Sequence, residues 1–170
     1  TYQVYEPPYG YHYLKRPYVL EPAVAAEMPI VRRYDAAGRE LPPGADAAKV
    51  AKSVYEIRIR PGVLYQPHPA FARAEDGAPR YLDLTPDDLR KVRGIGDFPE
   101  TGTRELEAAD FVHQIKRLAH PRLHSPIFEL MAEYLPGLKD LQASLATEAK
   151  RNSGWIDLTK YALPGVEVVD

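Results

Sequence analysis

The sequence contains no cysteine among its 170 residues. This absence excludes disulfide bonds, thiolate nucleophiles and cysteine-ligated zinc or iron–sulfur sites. Long apolar runs are also missing, since Ala23–Ala26 is typical of the longest, whereas a membrane-spanning helix needs roughly 18 consecutive apolar residues. The sequence therefore predicts neither cysteine chemistry nor a helix that crosses a membrane.

An excess of one charge sign is likewise absent. Lys and Arg number 22 against 24 for Asp and Glu, which gives a net charge of -2. Because dedicated nucleic-acid binders normally carry a basic excess, this balance argues against that function. Apolar residues make up 45% and charged residues 27%, so the composition is that of a globular chain able to bury a core without a metal or disulfide.

Proline and tyrosine are abundant, at 17 and 12 residues. The first 22 residues are especially rich in both, and prolines at this density favour extended backbone. We expect an ordered, irregular wrap whose half-buried tyrosine rings pack on the body of the domain. A face on which a ligand stacks is the alternative. The tyrosines concerned are Tyr2, Tyr5, Tyr9, Tyr11, Tyr13 and Tyr18.

Alternating apolar and polar residues predict a strand over Val54–Arg60. The period of two places Tyr55, Ile57 and Ile59 on the buried face of a sheet whose other face is solvated. Met28–Tyr34 is the expected antiparallel partner. The connection between the two strands is too long for a tight hairpin and is expected to be a surface excursion.

Helical patterns follow from residue 84 onward. Thr85, followed by a proline and two acids, is the expected N-cap of a short helix that ends near Gly94. The spacing of apolar residues then predicts helices over Leu106–Ala119, Pro126–Leu135 and Pro136–Arg151. The residues expected to face inward are Phe111, Val112, Ile115, Leu118 and Ala119, then Ile127, Leu130, Met131, Tyr134 and Leu135, then Leu138, Leu141 and Leu145.

The order of these elements predicts the fold class. Strands come first and helices follow, and Val166–Val169 is expected to form one returning strand. This order indicates an α+β fold with a small antiparallel sheet packed with several helices, in a single domain over residues 1–170.

Histidines are the first candidates for chemistry. His120 and His124 are four apart, but Pro121 lies between them and prevents a shared face of one regular helix. His113 lies on the polar side of its helix, and no H-E-x-x-H pattern is present. We therefore expect surface histidines and no metal site.

Neither the carboxylates nor the serines form a pattern that is typical of hydrolases. The paired acids fall at expected helix starts, where the dipole lowers rather than raises a carboxyl pKa, and no serine lies in a G-x-S-x-G elbow. We expect no enzymatic activity, no catalytic residue and no cofactor. The acids are Asp87, Asp88, Glu105, Glu107 and Asp110, and the serines are Ser53, Ser125, Ser144 and Ser153.

Arg93-Gly94-Ile95-Gly96 superficially matches the glycine turn of helix–hairpin–helix DNA-binding modules. The second helix does not begin at once, however, and nearby acids such as Asp97 and Glu100 would repel phosphates. As a dinucleotide-binding loop the segment lacks a preceding strand and the third glycine. DNA binding is therefore kept only as a weaker alternative.

Two longer segments resemble a known family. These are Val54-Tyr55-Glu56-Ile57-Arg58-Ile59-Arg60-Pro61-Gly62-Val63 and the stretch Arg104–Leu118, which reads RELEAADFVHQIKRL. Together they resemble the Y-x-F-x-I-R-P-G-V strand and the L-T-A-x-D-F-V-x-S-x-K-R-L helix of the family 5 extracellular solute-binding proteins. The opening Val4–Pro7 and the segment Leu14–Pro22 are similar to that family's early part. Glu107 and Gln114 depart from the family's usual Thr and Ser.

The resemblance implies a function. The family comprises the oligopeptide- and dipeptide-binding components of bacterial ABC importers, which are two-lobed and several times longer than this chain. It implies a periplasmic fragment that covers the inserted subdomain of the first lobe, without the second lobe. In the full-length protein the expected partners are a peptide or similar small ligand and the permease subunits, with no nucleic acid. The ligand-binding residues within this fragment are unknown.

A function of another class fits the same sequence. The chain could be a free-standing module that grips a protein or a glycan with its tyrosine-rich N-terminal segment. This alternative requires a gene of about the length of the chain, whereas the transport function requires a much longer one.

Overall fold

The computed structural model describes residues 6–169 and divides the chain into an N-terminal unit, Thr1–Leu106, and a C-terminal unit, Glu107–Asp170. Antiparallel sheets of two and three strands lie in the first unit and three α-helices in the second. The fold is therefore α+β, as the order of elements predicts. Because compact units can belong to one folding domain, a single domain over residues 1–170 stays a prediction.

The predicted wrap at the N-terminus is in fact a β-hairpin. Strand β1 (Tyr9–Tyr11) pairs antiparallel with β2 (Leu20–Pro22), with Tyr11 opposite Leu20. The His12 N–H donates to the Val19 carbonyl over 2.8 Å and continues the pairing by one step. Antiparallel pairing satisfies backbone groups that an irregular segment would leave to solvent. Tyr2 and Tyr5 lie outside the described residues.

The three-stranded sheet confirms the predicted pairing around residue 54. Strand β3 (Ile30–Tyr34) lies between β4 (Glu40–Leu41) and β5 (Lys52–Glu56), and both neighbours are antiparallel to it. In this register Arg32 lies opposite Val54. The long connection predicted as a surface excursion thus contributes one short strand of its own.

The prediction that Tyr55 and Ile57 face the core from β5 and the residues after it is wrong. Tyr55 is 61% exposed and Ile57 is 41% exposed, whereas Val54 and Glu56 are half-buried. The strand ends at Glu56 because the chain then leaves the sheet, and Ile59 forms a bridge with Ala25 instead. Alternation shows which residues share a face, but not which face is covered.

The N-terminal unit has very little core. Among its described residues only Val24, Ala25, Pro69 and Ala72 are buried, and none is larger than valine. The segment predicted as a short helix after Thr85 forms a single 3-10 turn, Asp88–Lys91. With Leu89 44% exposed, no apolar stripe is packed that could stabilise further turns.

The C-terminal unit holds helices α1 (Ala108–Leu118), α2 (Phe128–Tyr134) and α3 (Leu138–Arg151). Each lies within its predicted range. None of the helices among residues 6–169 is long and apolar enough to cross a membrane. The helices and the segment after them enclose one core, formed by Ala119, Phe128, Leu138, Leu141, Leu145, Ile156, Leu158 and Leu163.

Of the residues predicted to face inward from α2, Met131 and Leu135 pack against the core, and the other three do not. The predicted strand at the C-terminus is wrong as well. The inward face of α2 centres on Phe128, which is buried, whereas Ile127, Leu130 and Tyr134 are 49%, 58% and 74% exposed. Apolar residues surround this short helix on more than one side, so only some of them can face the core. The segment Val166–Val169 pairs with no described strand and carries no strand assignment.

The turn between α2 and α3 requires glycine at position 137. Gly137 has φ of 81°, and a Cβ atom there would lie 2.8 Å from Cδ of Pro164. We expect Gly137→Ala to lower the free energy of unfolding of the C-terminal unit by about 1–3 kcal/mol, because it adds left-handed strain and a steric overlap. Urea unfolding followed by the fluorescence of Trp155, the single tryptophan, measures this loss.

A second substitution separates the two causes of that loss. Adding Pro164→Ala to the Gly137→Ala variant removes the ring that the new methyl group meets. It should therefore restore part of the lost stability. An unchanged stability on adding Pro164→Ala would show that the overlap contributes nothing.

Candidate functional site

The prediction of surface histidines fails at His120. This residue follows the C-cap of α1 and is 2% exposed. Its ring stacks on Trp155 at a centroid distance of 5.1 Å and an interplanar angle of 18°. Burial lowers the pKa of His120, and the positive charges of Arg122 and Arg117 lower it further. His113 and His124 are exposed as predicted.

The ring of His120 is held in one tautomer. Its Nδ1 accepts from the Arg122 backbone N–H at 3.2 Å, so the neutral ring carries its proton on Nε2. Nε2 is buried and has no hydrogen-bond partner within the described chain. The same Nδ1-to-amide contact, two residues ahead, occurs at His12 and His68. These histidines therefore serve as turn caps, in the manner of Asx turns.

The acids form local structural contacts rather than a catalytic pair. Asp88 accepts from the hydroxyl of Thr85 at 2.6 Å and from its N–H at 2.8 Å, and these hydrogen bonds lower the pKa of Asp88. Asp110 accepts from the N–H of Glu107 at the start of α1. Glu105 accepts from the N–H of Gly62. Asp88 and Asp110 thus act at turn and helix starts, as predicted, and Glu105 binds another segment.

The described residues assemble no metal-binding group, and the candidate serines lie apart from one another in the fold. No cluster of three or more His, Asp or Glu side chains there could hold a metal ion. Ser144 donates to the carbonyl of Asp140 within α3, and Ser53 lies in β5 opposite Arg33. The remaining candidate serines, Ser125 and Ser153, lie in loops.

The glycine turn at Gly94 binds a carboxylate of its own chain. Oδ2 of Asp97 accepts from the N–H of Arg93 at 2.7 Å and from that of Gly94 at 3.1 Å. The amide of Gly94 is one that a phosphate at this turn would need. A negatively charged group therefore already occupies the position, which disfavours the DNA-binding alternative.

Three tyrosines that were expected to pack inward instead lie on the surface. Tyr11, Tyr13 and Tyr18 are 69%, 88% and 69% exposed, on or next to the tip of the β1–β2 hairpin. The rings of Tyr11 and Tyr18 meet edge to face at 5.9 Å, and the Arg16 guanidinium lies 4.5 Å from the Tyr18 ring centre. Tyr9 is half-buried, and its hydroxyl donates to the carbonyl of Glu27.

Side chains of the hairpin tip, residues 12–19, hydrogen-bond to four of the tip's own backbone groups. Nδ1 of His12 accepts from the N–H groups of Leu14 and Lys15 at 3.1 and 3.2 Å. The guanidinium of Arg16 donates to the carbonyls of Tyr13 and Lys15 at 3.2 and 2.8 Å. These contacts fix the local shape of the tip, which presents Tyr13 and Leu14 to solvent. Sequence reasoning missed Leu14 and Arg16 here, although H-x-L-K-R between aromatics was their signal.

The two segments that resemble solute-binding proteins are joined in the N-terminal unit. The Leu106 N–H donates to the Val63 carbonyl at 2.8 Å, and the Tyr65 N–H donates to the Arg104 carbonyl at 3.0 Å. Leu64 and Glu105 form an antiparallel bridge at this place. The end of the first motif thus lies directly against the start of the second. We call this contact the motif junction.

A scan against protein-family models, a search of curated proteins and a search of solved structures each found no match to this chain.

Proposed function

We propose that this chain is part of the solute-binding component of a bacterial ABC importer, with oligopeptides as its substrate class. In this proposal the chain belongs to one lobe of a larger periplasmic protein, performs no catalysis, and works with permease subunits in the membrane. It needs no cofactor.

The motif junction is the observation that carries this proposal. The two segments resemble parts of one family, and about forty residues separate them along the chain. Unrelated chance similarities would have no physical reason to meet. The hydrogen bonds between residues 63–65 and 104–106 thus support the interpretation that both segments belong to one structural arrangement.

The thin core of the N-terminal unit gives further support. A unit of about a hundred residues normally buries a contiguous set of large apolar side chains, but Val24 is the largest buried one among residues 6–106. Tyr55 and Ile57 lie largely exposed on and beyond β5. A surface of this kind suits a subdomain that is completed by packing against the rest of a lobe.

The test compares the product of the complete gene with the 170-residue chain. Each is titrated by calorimetry with a defined mixture of short peptides, and a disaccharide of similar size serves as the control ligand. The complete product should bind the peptides and not the sugar, because two lobes are needed to enclose a ligand. The shorter chain should bind at least about tenfold more weakly, equivalent to about 1.4 kcal/mol.

Two results would contradict the proposal. One is a gene that encodes little more than this chain. The other is peptide binding by the 170-residue chain that is as tight as that of the complete product. Binding of the sugar alone would retain the transport role but replace the proposed substrate class.

The exposure of Tyr11, Tyr13 and Tyr18 favours a second candidate function, a free-standing module that binds a protein or a glycan through its tyrosines. Under this alternative the 170-residue chain would be fully active by itself. The gene-length test described above separates it from the transport proposal.

A further inference from the structure

The hairpin tip presents a convex apolar surface with one unpaired positive charge. Tyr13 and Leu14 are 88% and 77% exposed. Lys15 forms an ion pair with Glu21 at 2.6 Å, whereas Arg16 donates only to backbone carbonyls and has no carboxylate partner among residues 6–169. A convex tip cannot enclose a small molecule, so a matching surface has to come from a larger partner.

The internal hydrogen bonds of the tip lower the cost of covering it. Burying an unsatisfied backbone amide or carbonyl opposes association by about 1–3 kcal/mol. Here His12 and Arg16 already satisfy the amides of Leu14 and Lys15 and the carbonyls of Tyr13 and Lys15. Tyrosine and arginine are also the residues that most often carry binding energy in protein interfaces.

A surface of complementary chemistry lies on the C-terminal unit. Ile127, Leu130 and Tyr134 form an exposed apolar row on α2, which we call the α2 stripe. Glu129 and Glu133 are exposed, are spaced four residues apart, and form no ion pair among the described residues. Glu133 lies three residues after Leu130, and this spacing places it beside the stripe. The stripe is therefore apolar with an acidic flank.

We propose that the hairpin tip of one copy of this chain docks on the α2 stripe of a second copy. Tyr13 and Leu14 would contact Leu130 and Tyr134, and Arg16 would face the acidic flank. The charges favour this pairing over two alternatives. Contact between two tips would bring two arginines together, and contact between two stripes would bring glutamates together. The inference does not depend on the transport function.

An anionic membrane is the less favourable partner for the tip. Each cation near such a surface contributes only about 1 kcal/mol, and membrane-binding segments carry about 4–8 of them. The tip has Lys15, already paired with Glu21, and Arg16. The chemistry therefore favours the second copy.

The test uses two double variants of the whole chain. The tip variant carries Tyr13→Ser and Leu14→Ser, and the stripe variant carries Leu130→Gln and Tyr134→Gln, in which glutamine preserves helix propensity. Leu82→Ser, at a residue that is 72% exposed, is the matched control for loss of an exposed apolar side chain. Circular dichroism verifies that each variant folds like the parent chain.

Sedimentation velocity over a wide concentration range gives the readout. The parent chain and the Leu82→Ser control should self-associate, and each double variant alone should do so at least about tenfold more weakly. A mixture of the two double variants should associate again, because each supplies the surface that the other lacks. Such restored association is expected only if the contact joins two different patches, and not if it joins two copies of the same patch.

Several results would overturn the inference. A parent chain that remains monomeric at all concentrations would do so, as would a mixture that associates no better than its separate components. Undiminished association of the tip variant would show that the tip takes no part, and its loss in the stripe variant alone would then show that stripes pair with stripes. Binding of the monomer to phosphatidylglycerol vesicles, lost in the tip variant and without self-association, would assign the tip to a membrane instead.

Discussion

Replacing Leu145 with alanine is expected to lower the free energy of unfolding of the C-terminal unit by about 2–5 kcal/mol. Leu145 is fully buried, at 0% exposure, in the centre of α3, and it belongs to the core cluster with Leu138 and Phe128. The substitution removes transfer free energy and leaves a cavity that rigid neighbours fill only in part. Folded chains have about 0.05–0.15 kcal/mol of stability per residue, so the loss is a large share of what this short unit has.

Leu130→Ala is the matched control for this prediction. It makes the same chemical change on the neighbouring helix at a side chain that is 58% exposed, and its effect should stay within about 0.5 kcal/mol. Urea unfolding followed by Trp155 fluorescence, at low protein concentration, compares the two variants. Equal losses for both would contradict the placement of Leu145 in the core and of Leu130 at the surface.

The sequence predicts the helices of the C-terminal unit well because one pattern dominates each of them. In α3 the leucines at 138, 141 and 145 recur at the spacing of one helix face, and no competing apolar face exists. All three are buried. The antiparallel pairing of β3 with β5 was predictable for a similar reason, since both segments carry β-branched residues with polar connections around them.

The sequence does not decide between faces that are equally apolar. In α2, Phe128, Met131 and Leu135 form a stripe as regular as that of Ile127, Leu130 and Tyr134, and only tertiary packing selects the first. The orientation of Tyr55 in β5 is ambiguous in the same way. The choice depends on which neighbours are available, and a single sequence does not contain that information.

The candidate surface on the hairpin was less predictable than the fold. Tyrosine is stable both against a core and in partial contact with water, so its abundance does not fix its exposure. The register of β1 with β2 and the contacts of His12 and Arg16 turn Tyr13 and Leu14 outward. Those contacts join residues only a few positions apart. In His12 the ring nitrogen accepts from the backbone N–H of the residue two positions later, so a histidine at a predicted turn is the feature to look for in other sequences.

The C-terminal unit is expected to lose stability as the pH falls below about 6.5, the ordinary pKa of histidine. In the folded state burial lowers the pKa of His120, and Arg122 and Arg117 lower it further, so the unfolded chain takes up a proton more readily than the folded one. The stabilising contribution of the neutral ring is therefore complete above pH 6.5. It declines towards the lower folded pKa, with a limiting slope of about 1.4 kcal/mol per pH unit.

Two variants show whether this slope belongs to His120. His120→Asn keeps an acceptor for the Arg122 N–H, now an amide oxygen in an Asx turn, but has no group that titrates near neutral pH. It should be less stable at pH 7.5, since it leaves space beside Trp155, and it should lack most of the slope between pH 6.5 and 5. His113→Gln, at an exposed position of α1, should keep the slope. If both variants retain the slope in urea unfolding followed by Trp155 fluorescence, another group is responsible.

Protonation of His120 should affect the ends of two helices together. The ring stacks on Trp155 and accepts from the N–H of Arg122, and the Arg122 guanidinium donates to the carbonyls of Asn152, Ser153 and Gly154. Because a protonated Nδ1 no longer accepts from Arg122, we expect the segment after α1 and the segment after α3 to loosen together.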